Sequence, residues 1–475
     1  MSEERKTIYL CLAHMSEDKL EEKYVKEAFD TNWVVPMGPN VNAFEKDLEA
    51  FVNSRPQSSF PSEENKAPSQ QERAGGEASA PFPSGEGRGE AKVVCLSAGT
   101  AAVHLALLAC GVGPGDEVCV QSFTFCASSH PITYLGATPV FIDSEADTWN
   151  MDPQLLEQAI LDRKEKTGKY PKAIVPVALY GMPYKIDEIM AIANKYGIPV
   201  VEDAAEGMGS RFNGQVLGTF GKFGVLSFNG NKMITTSGGG ALICQNAADA
   251  QTIMWYATQA RDAYPYYEHT AIGYNYRMSN VCAGIGRGQM TVLNDHIAHH
   301  KHVQELYKEL LQDVPGITLH EQPADPRYDA NFWLCAATID PEIRVKGQEN
   351  AYKEVIKIAV GGAAGVIKAV DSATTDCQPN ENVEALRVFM LSKKVECRPV
   401  WKPMHKQPVY NALYELRYEN ENWVSYEGPK SSAYLRKESV CESIFKVGFC
   451  LPAGPYVTDD DVRYIVDCIK EAIVK

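Results

Sequence analysis

Between residues 92 and 245 the chain alternates short apolar, β-branched runs with longer stretches whose apolar positions recur at helical spacing. The runs VVCLS (93–97), EVCVQS (117–122), TPVFID (138–143), AIVPVAL (173–179), IPVVED (198–203), GVLSF (224–228) and GALICQ (240–245) predict strands. Helical spacing predicts helices over 101–110 and 186–196, the second stopped by Gly197. Alternation of this kind predicts βα units on a parallel sheet. Upstream, a helix is expected over about 41–52. Downstream, a long polar–apolar helical stretch covers 279–311, followed by mixed helices and strands and a last helix over 459–473 with acidic residues in its first turn. The fold class read from this pattern is α/β, with a smaller C-terminal α+β part.

The pattern stops over residues 54–91, which hold no Ile, Leu, Val or Met and are rich in Ser, Pro, Gly and Glu. Such a stretch cannot offset its ordering entropy, so a disordered surface insertion is expected there. A loose segment is expected near 341–385, around GGAAG and a Ser/Thr/Asp/Asn cluster. The division that follows is an N-terminal segment 1–53, the insertion 54–91, a large domain 92–290 and a C-terminal domain 291–475.

Composition narrows the function classes. With 475 residues, 45% hydrophobic and 23% charged, there is material for a large core and more than one domain. A formal charge of −15 repels polyanions, so no nucleic-acid partner is expected. No apolar run approaches a bilayer span and no signal-peptide pattern follows Met1, so no membrane partner and a cytoplasmic location are expected. The thirteen cysteines include no CxxC pair and lie mostly among Val, Leu and Ala, which reads as core side chains, with no metal site.

Three segments carry candidate chemistry. In LSAGTAAVHLALLACG (96–111) a strand gives way to a helix at small residues, which exposes free N–H groups able to bind a phosphate; the run is neither a Walker loop nor GxGxxG. The strand IPVVED brings Glu202, Asp203 and Glu206 to its carboxyl end, the edge where α/β sheets bind ligands. The strand GVLSF leads into NGNKMITTSGGG, which places Ser227 and Lys232 before three glycines. An amine able to condense with an aldehyde and an acid able to keep a pyridine nitrogen protonated are what pyridoxal phosphate requires.

The runs SAGTAAVHLAL, QSFTFCAS, VEDAAEGMGS, LSFNGNKMITTSGGG, TQARDAYPYYEH and GYNYRMSNVCAGIGRGQM, with RPVWKPMHKQPVY and LPAG, resemble the DegT/DnrJ/EryC1/StrS family of sugar aminotransferases over roughly 8–53, 92–340 and 386–475. The nearest subgroup is the bacillosamine-pathway 4-aminotransferases of UDP-linked 4-keto sugars. The resemblance implies a fold-type-I transferase with pyridoxal 5′-phosphate as cofactor, L-glutamate as amino donor, a UDP-linked keto sugar as acceptor, and a homodimer with shared sites.

Carried onto this chain, Lys232 looks like the covalent cofactor lysine and Asp203 like the partner of the pyridine nitrogen. Gly99, Thr100 and Ala101 match the phosphate turn, with Ser227 beside it. Phe125 stands where an aromatic stacks on the ring, and Glu206 where many relatives carry Gln or His. Asn275 resembles a residue that reaches the partner's cofactor phosphate. For the acceptor's diphosphate the expected positive set is Arg398, Lys402, His405 and Lys406, with Trp401 for stacking and Arg277 and His14 contributing. Tyr180 and His269 are candidate wall residues. Sugar 3-dehydratases of the same family replace the lysine with a residue such as His, and Lys232 argues against that reading. Departures from the family pattern are the 54–91 insertion, the long 341–385 stretch, and YLCLAHMS, which lacks the subgroup's prolines and glycine.

Overall fold

In the computed structural model, which describes residues 5–54, 90–352, 377–411 and 414–474, the apolar runs form strands β1 (Lys92–Leu96), β2 (Glu117–Gln121), β3 (Thr138–Ile142), β4 (Ala173–Val175), β5 (Val201–Asp203), β6 (Phe223–Ser227) and β7 (Gly240–Cys244). The insertion residues 55–89 and residues 353–376 of the second loose segment lie outside the described residues. Val118, Cys119, Val120, Val140, Phe141 and Ile142 are all fully buried, so both faces of the sheet centre are covered by helices.

β1, β7, β6 and β5 are hydrogen-bonded in that order, and β3, β2 and β4 form a second row. Bridges Ile174–Val200 and Val177–Asp203 join the two rows side by side. β2 pairs parallel with β3 and β4, and β5 parallel with β6. β7 departs from the expected parallel order, running antiparallel to both β6 and β1. The link from Ser227 to Gly240 contains no helix, so the chain returns directly and cannot make a crossover.

Two further differences have physical causes. The stretch 279–311 is two helices, Asn280–Met290 and Leu293–Leu311; Ser279 Oγ accepts the Val281 N–H at the start of the first. The strands Glu415–Glu419, Trp423–Glu427 and Ser432–Arg436 lie in the stretch read as the C-terminal domain, yet they extend the large sheet, with Ser432–Arg436 parallel to β3. They cover an edge that β3 would otherwise leave unpaired. The smaller domain has its own antiparallel sheet of Ile317–Leu319, Cys335–Ile339, Gly448–Leu451 and Arg398–Pro399. The helices Leu293–Leu311, Glu381–Ser392 and Asp459–Ala472 share a separate apolar core with it. Most of the thirteen cysteines are buried, as the apolar surroundings of their runs predict. Among the described residues no helix is long and apolar enough to cross a membrane, and no cluster of His, Cys, Asp or Glu is arranged to hold a metal ion.

The carboxyl ends of β1, β5 and β6 all open toward one cleft, lined by Ser97–Thr100, Asp203 and Ser227.

Candidate active site

The helix Gly99–Ala109 begins directly after β1, with Ala98 extended before it and no side chain capping its first turn. Its leading N–H groups are therefore left for an anion, with the positive end of the helix dipole behind them. Two glycines allow the walls to close here. A Cβ on Gly99 would lie 3.1 Å from Cβ of Ser227, and one on Gly240 would lie 2.4 Å from the Gly99 nitrogen. The glycine run after Lys232 thus serves the anion turn, since Gly240 lets β7 press against it. Ala101, buried in the same first turn, completes the trio.

Asp203 ends β5 in a buried position. One carboxylate oxygen accepts the Ala205 N–H at 3.1 Å and the other accepts the Ser128 hydroxyl at 2.6 Å. Burial pushes the acid upward, opposed by the Ser128 and Ala205 hydrogen bonds and by the charge of Lys232. Glu206, three residues on, is also buried and also pushed up by burial, with Lys232 as the main opposing influence. The Lys232 amine lies 3.3 Å from Glu206 Oε1, while Glu206 Oε2 accepts the Tyr180 N–H at 2.8 Å. The ammonium also sits 4.1 Å from the centre of the Trp333 ring, whose Nε1–H donates to the Asn231 carbonyl.

Phe125 projects from the loop after β2, about half exposed, with its ring 5.3 Å from that of Trp401. Gly99, Thr100, Phe125, Asp203, Glu206, Ser227, Lys232 and Trp401 all line the one cleft. Thr124, Ser128, Asn229, Asn231 and Trp333 line it as well. No motif marks these five in the sequence; only the Thr124–Ser128 spacing beside Phe125 carries any signal.

Other candidates sit elsewhere in the chain. Tyr180 is buried behind the wall, where its phenol oxygen accepts the Trp401 backbone N–H at 2.8 Å. Asn275 is exposed, paired with Thr258 at a strand-like bridge outside this chain's cleft. Arg277 is enclosed, donating to Glu45 at 2.6 Å and to the Cys95 carbonyl at 2.8 Å. His14 faces His296 in a separate hollow near Asp295. Exposed His269 contacts the Gln259 carbonyl. The basic run after Arg398 is not an open positive patch: Arg398 pairs with Glu396, and both His405 and Lys406 pair with Glu442. His405 is buried, and its other ring nitrogen meets the Ser122 hydroxyl at 2.7 Å. Lys402 is half-buried beside Trp401 and is not among the residues lining this cleft.

An uncapped helix start with a hydroxyl beside it, a buried carboxylate, a single amine and an exposed aromatic ring match the parts of a phosphorylated pyridine aldehyde one for one. With a mixed sheet carrying them at its carboxyl edge, they are the groups that a fold-type-I pyridoxal-phosphate-dependent enzyme requires. The sequence profile of the DegT/DnrJ/EryC1/StrS aminotransferase family matches residues 86–362, and the chain belongs to that family. It is 36% identical over 467 residues to EpsN of Bacillus subtilis (strain 168), assigned as a pyridoxal phosphate-dependent aminotransferase, covering 98% of this chain and 95% of EpsN. It is 31% identical over 376 residues to the GDP-perosamine synthase of Escherichia coli O157:H7, covering 79% of this chain and 84% of that protein. Among solved structures it is similar to a DegT/DnrJ/EryC1/StrS aminotransferase from Brucella abortus, with a TM-score of 0.70 at 22% identity, covering 96% of this chain and 95% of that one.

Proposed function

We propose that this protein moves an amino group from L-glutamate to a keto carbon, C4, of a UDP-linked deoxy sugar for glycan or surface polysaccharide synthesis, working as a homodimer. The observation that carries the chemical part is the convergence of Lys232, Asp203 and the open Gly99 helix start on one cleft. The choice of a UDP-linked 4-keto acceptor follows the subgroup resemblance.

When bound, pyridoxal phosphate supplies an aldehyde conjugated to a ring that withdraws electrons while its nitrogen is protonated. Gly99, Thr100, Ala101 and Ser227 would bind its phosphate, and Phe125 would flank its ring. Asp203 would hold the proton at the ring nitrogen, its negative charge making deprotonation there unfavourable. Lys232 is the amine that would first hold the aldehyde carbon and then, once displaced by the donor amine, carry a proton between carbon centres as base and acid. Glu206 lies at hydrogen-bond distance from the lysine nitrogen and can accept from it. In the second half of the cycle Lys232 would run the same proton transfers in reverse on the keto acceptor. Asn275, exposed and outside its own cleft, is free to serve a second copy's phosphate site in the proposed dimer.

The test is a panel of UDP- and GDP-linked 3-keto and 4-keto deoxy sugars with glutamate, products being identified by mass spectrometry and NMR. Amination of a UDP-linked 4-keto sugar is expected. Turnover confined to GDP-linked sugars, or to C3, would replace the acceptor named here, and reaction only with simple keto acids would remove the sugar altogether.

A further inference from the structure

The 3₁₀ turn Cys126–Ser128 hangs directly from Phe125, whose carbonyl accepts the Ser128 N–H at 3.2 Å. Ser128 is almost fully buried and its hydroxyl donates to Asp203 at 2.6 Å. A serine hydroxyl has one proton, and here the carboxylate takes it. The 2.8 Å contact between the Thr124 and Ser128 hydroxyls therefore has one direction, with Thr124 donating and Ser128 accepting. The result is a one-way relay, Thr124 to Ser128 to Asp203, between the loop that carries the cleft's aromatic ring and the acid at the end of β5.

We propose that Ser128 is a positioning residue for Asp203, fixing the carboxylate so that its remaining lone pairs face the cleft and a protonated ring nitrogen. Each carboxylate oxygen takes one protein hydrogen bond, from Ala205 on one side and Ser128 on the other, which leaves acceptor capacity on both. The Ala205 bond alone would hold only one of the two oxygens, and the shorter Ser128 bond holds the other.

The relay also opposes the cost of burying the charge. Asp203 sits among few polar partners, and the charged groups near it are Lys232, which favours ionisation, and Glu206, which has the same sign. Hydrogen bonds to a charged acceptor are the strong kind, so losing the Ser128 hydroxyl weakens the ionised form substantially. An Asp203 that is turned or neutral no longer retains the ring proton. A ring without that proton withdraws fewer electrons, and the nitrogen linked through Lys232 then holds its own proton more tightly.

The experiment uses the cofactor-loaded protein and two readouts that do not depend on turnover: the pH midpoint of the bound-cofactor absorption band, and cofactor retained during dialysis. Ser128→Ala is expected to move the midpoint upward by about one pH unit and to raise the cofactor dissociation constant about tenfold. Thr124→Val is expected to move both in the same direction by less, and Ser128→Thr, which keeps a hydroxyl, to restore wild-type values. Wild-type midpoint and retention in both Ser128→Ala and Thr124→Val would overturn the proposal. So would a Ser128→Thr protein as altered as the alanine variant, since bulk rather than the hydroxyl would then be what matters. If Ser128→Ala does not fold, Thr124→Val decides by the same two readouts.

Discussion

The Lys232 amine and the Glu206 carboxylate form an ion pair of 3.3 Å inside the cleft, reached by two different strands of the large sheet. Glu206 follows β5 and Lys232 follows β6, so parallel pairing of these neighbours sets the distance. Replacing Glu206 with Gln keeps an acceptor for the Tyr180 N–H and removes the charge. With that negative charge gone from 3.3 Å away, the pH midpoint of the bound-cofactor band is expected to fall by about one unit. This is the opposite sign to the Ser128→Ala shift, and spectrophotometric titration of both variants reads the difference directly.

Tyr180 ties this pair to the smaller domain. Its N–H bonds Glu206, its phenol accepts the Trp401 N–H, and its ring lies at 24° to the Trp401 ring. Its φ of 53° is in the left-handed region, a conformation the surrounding contacts must hold in place. Tyr180→Phe leaves the Trp401 N–H without its acceptor, a loss of about 1–3 kcal/mol in stability. The variant is expected to raise the acceptor KM while the half-reaction with the proposed donor, glutamate, followed by bleaching of the cofactor band, stays near wild type. Equal damage to both half-reactions would show that Tyr180 does not act through the Trp401 wall.

Acid sensitivity has a source remote from the cleft. His300 is buried in the helix Leu293–Leu311, bonded to the Phe332 carbonyl, and burial pushes its pKa down from 6.5 to about 3. Below pH 6.5 the unfolded chain binds a proton here that the folded chain does not, so stability falls with falling pH until about pH 3. Between pH 7 and 5.5 this one group contributes a loss of about 1 kcal/mol. His300→Asn, which can keep the N–H donor, is expected to reduce the pH dependence by that amount in urea unfolding at the two pH values. An unchanged difference would place the sensitivity in other groups.

The shared-site dimer proposed above would allow complementation. A Lys232→Ala chain and an Asn275→Ala chain are each expected to have little activity alone. Refolded together, they form dimers in which one site has both residues intact, and activity should reappear. No recovery in a mixture shown to contain heterodimers would mean that Asn275 does not serve a partner's site.

Much of this was legible in the sequence because its signals are local. β1 to β7 follow from apolar β-branched runs, five of which lie within a residue or two of the observed strands, while AIVPVAL shortens to Ala173–Val175 once Pro176 ends the ladder and IPVVED shortens to Val201–Asp203. That Asp203 and Lys232 share one cleft was legible because Asp203 ends β5 and Lys232 lies in the loop just after β6. What was hidden depends on distant partners. Glu442, far along the chain, pairs with Lys406 and hydrogen-bonds the His405 ring, so an internally satisfied cluster looked like an open basic patch. The hairpin of Trp423–Glu427 and Ser432–Arg436 joins β3 across some three hundred residues of sequence, which no local periodicity encodes. Ser128 and Thr124 looked like ordinary loop hydroxyls, since their role appears only when β5 brings Asp203 beside them.

The central claim is that Lys232 is the amine that holds the cofactor. Borohydride treatment of the protein loaded with pyridoxal phosphate, followed by digestion and peptide mass spectrometry, tests it most directly. One stable phosphopyridoxyl adduct is expected on the peptide containing Lys232, absent from a Lys232→Ala protein. An adduct on another lysine, or no adduct in a sample that had bound the cofactor, would contradict it.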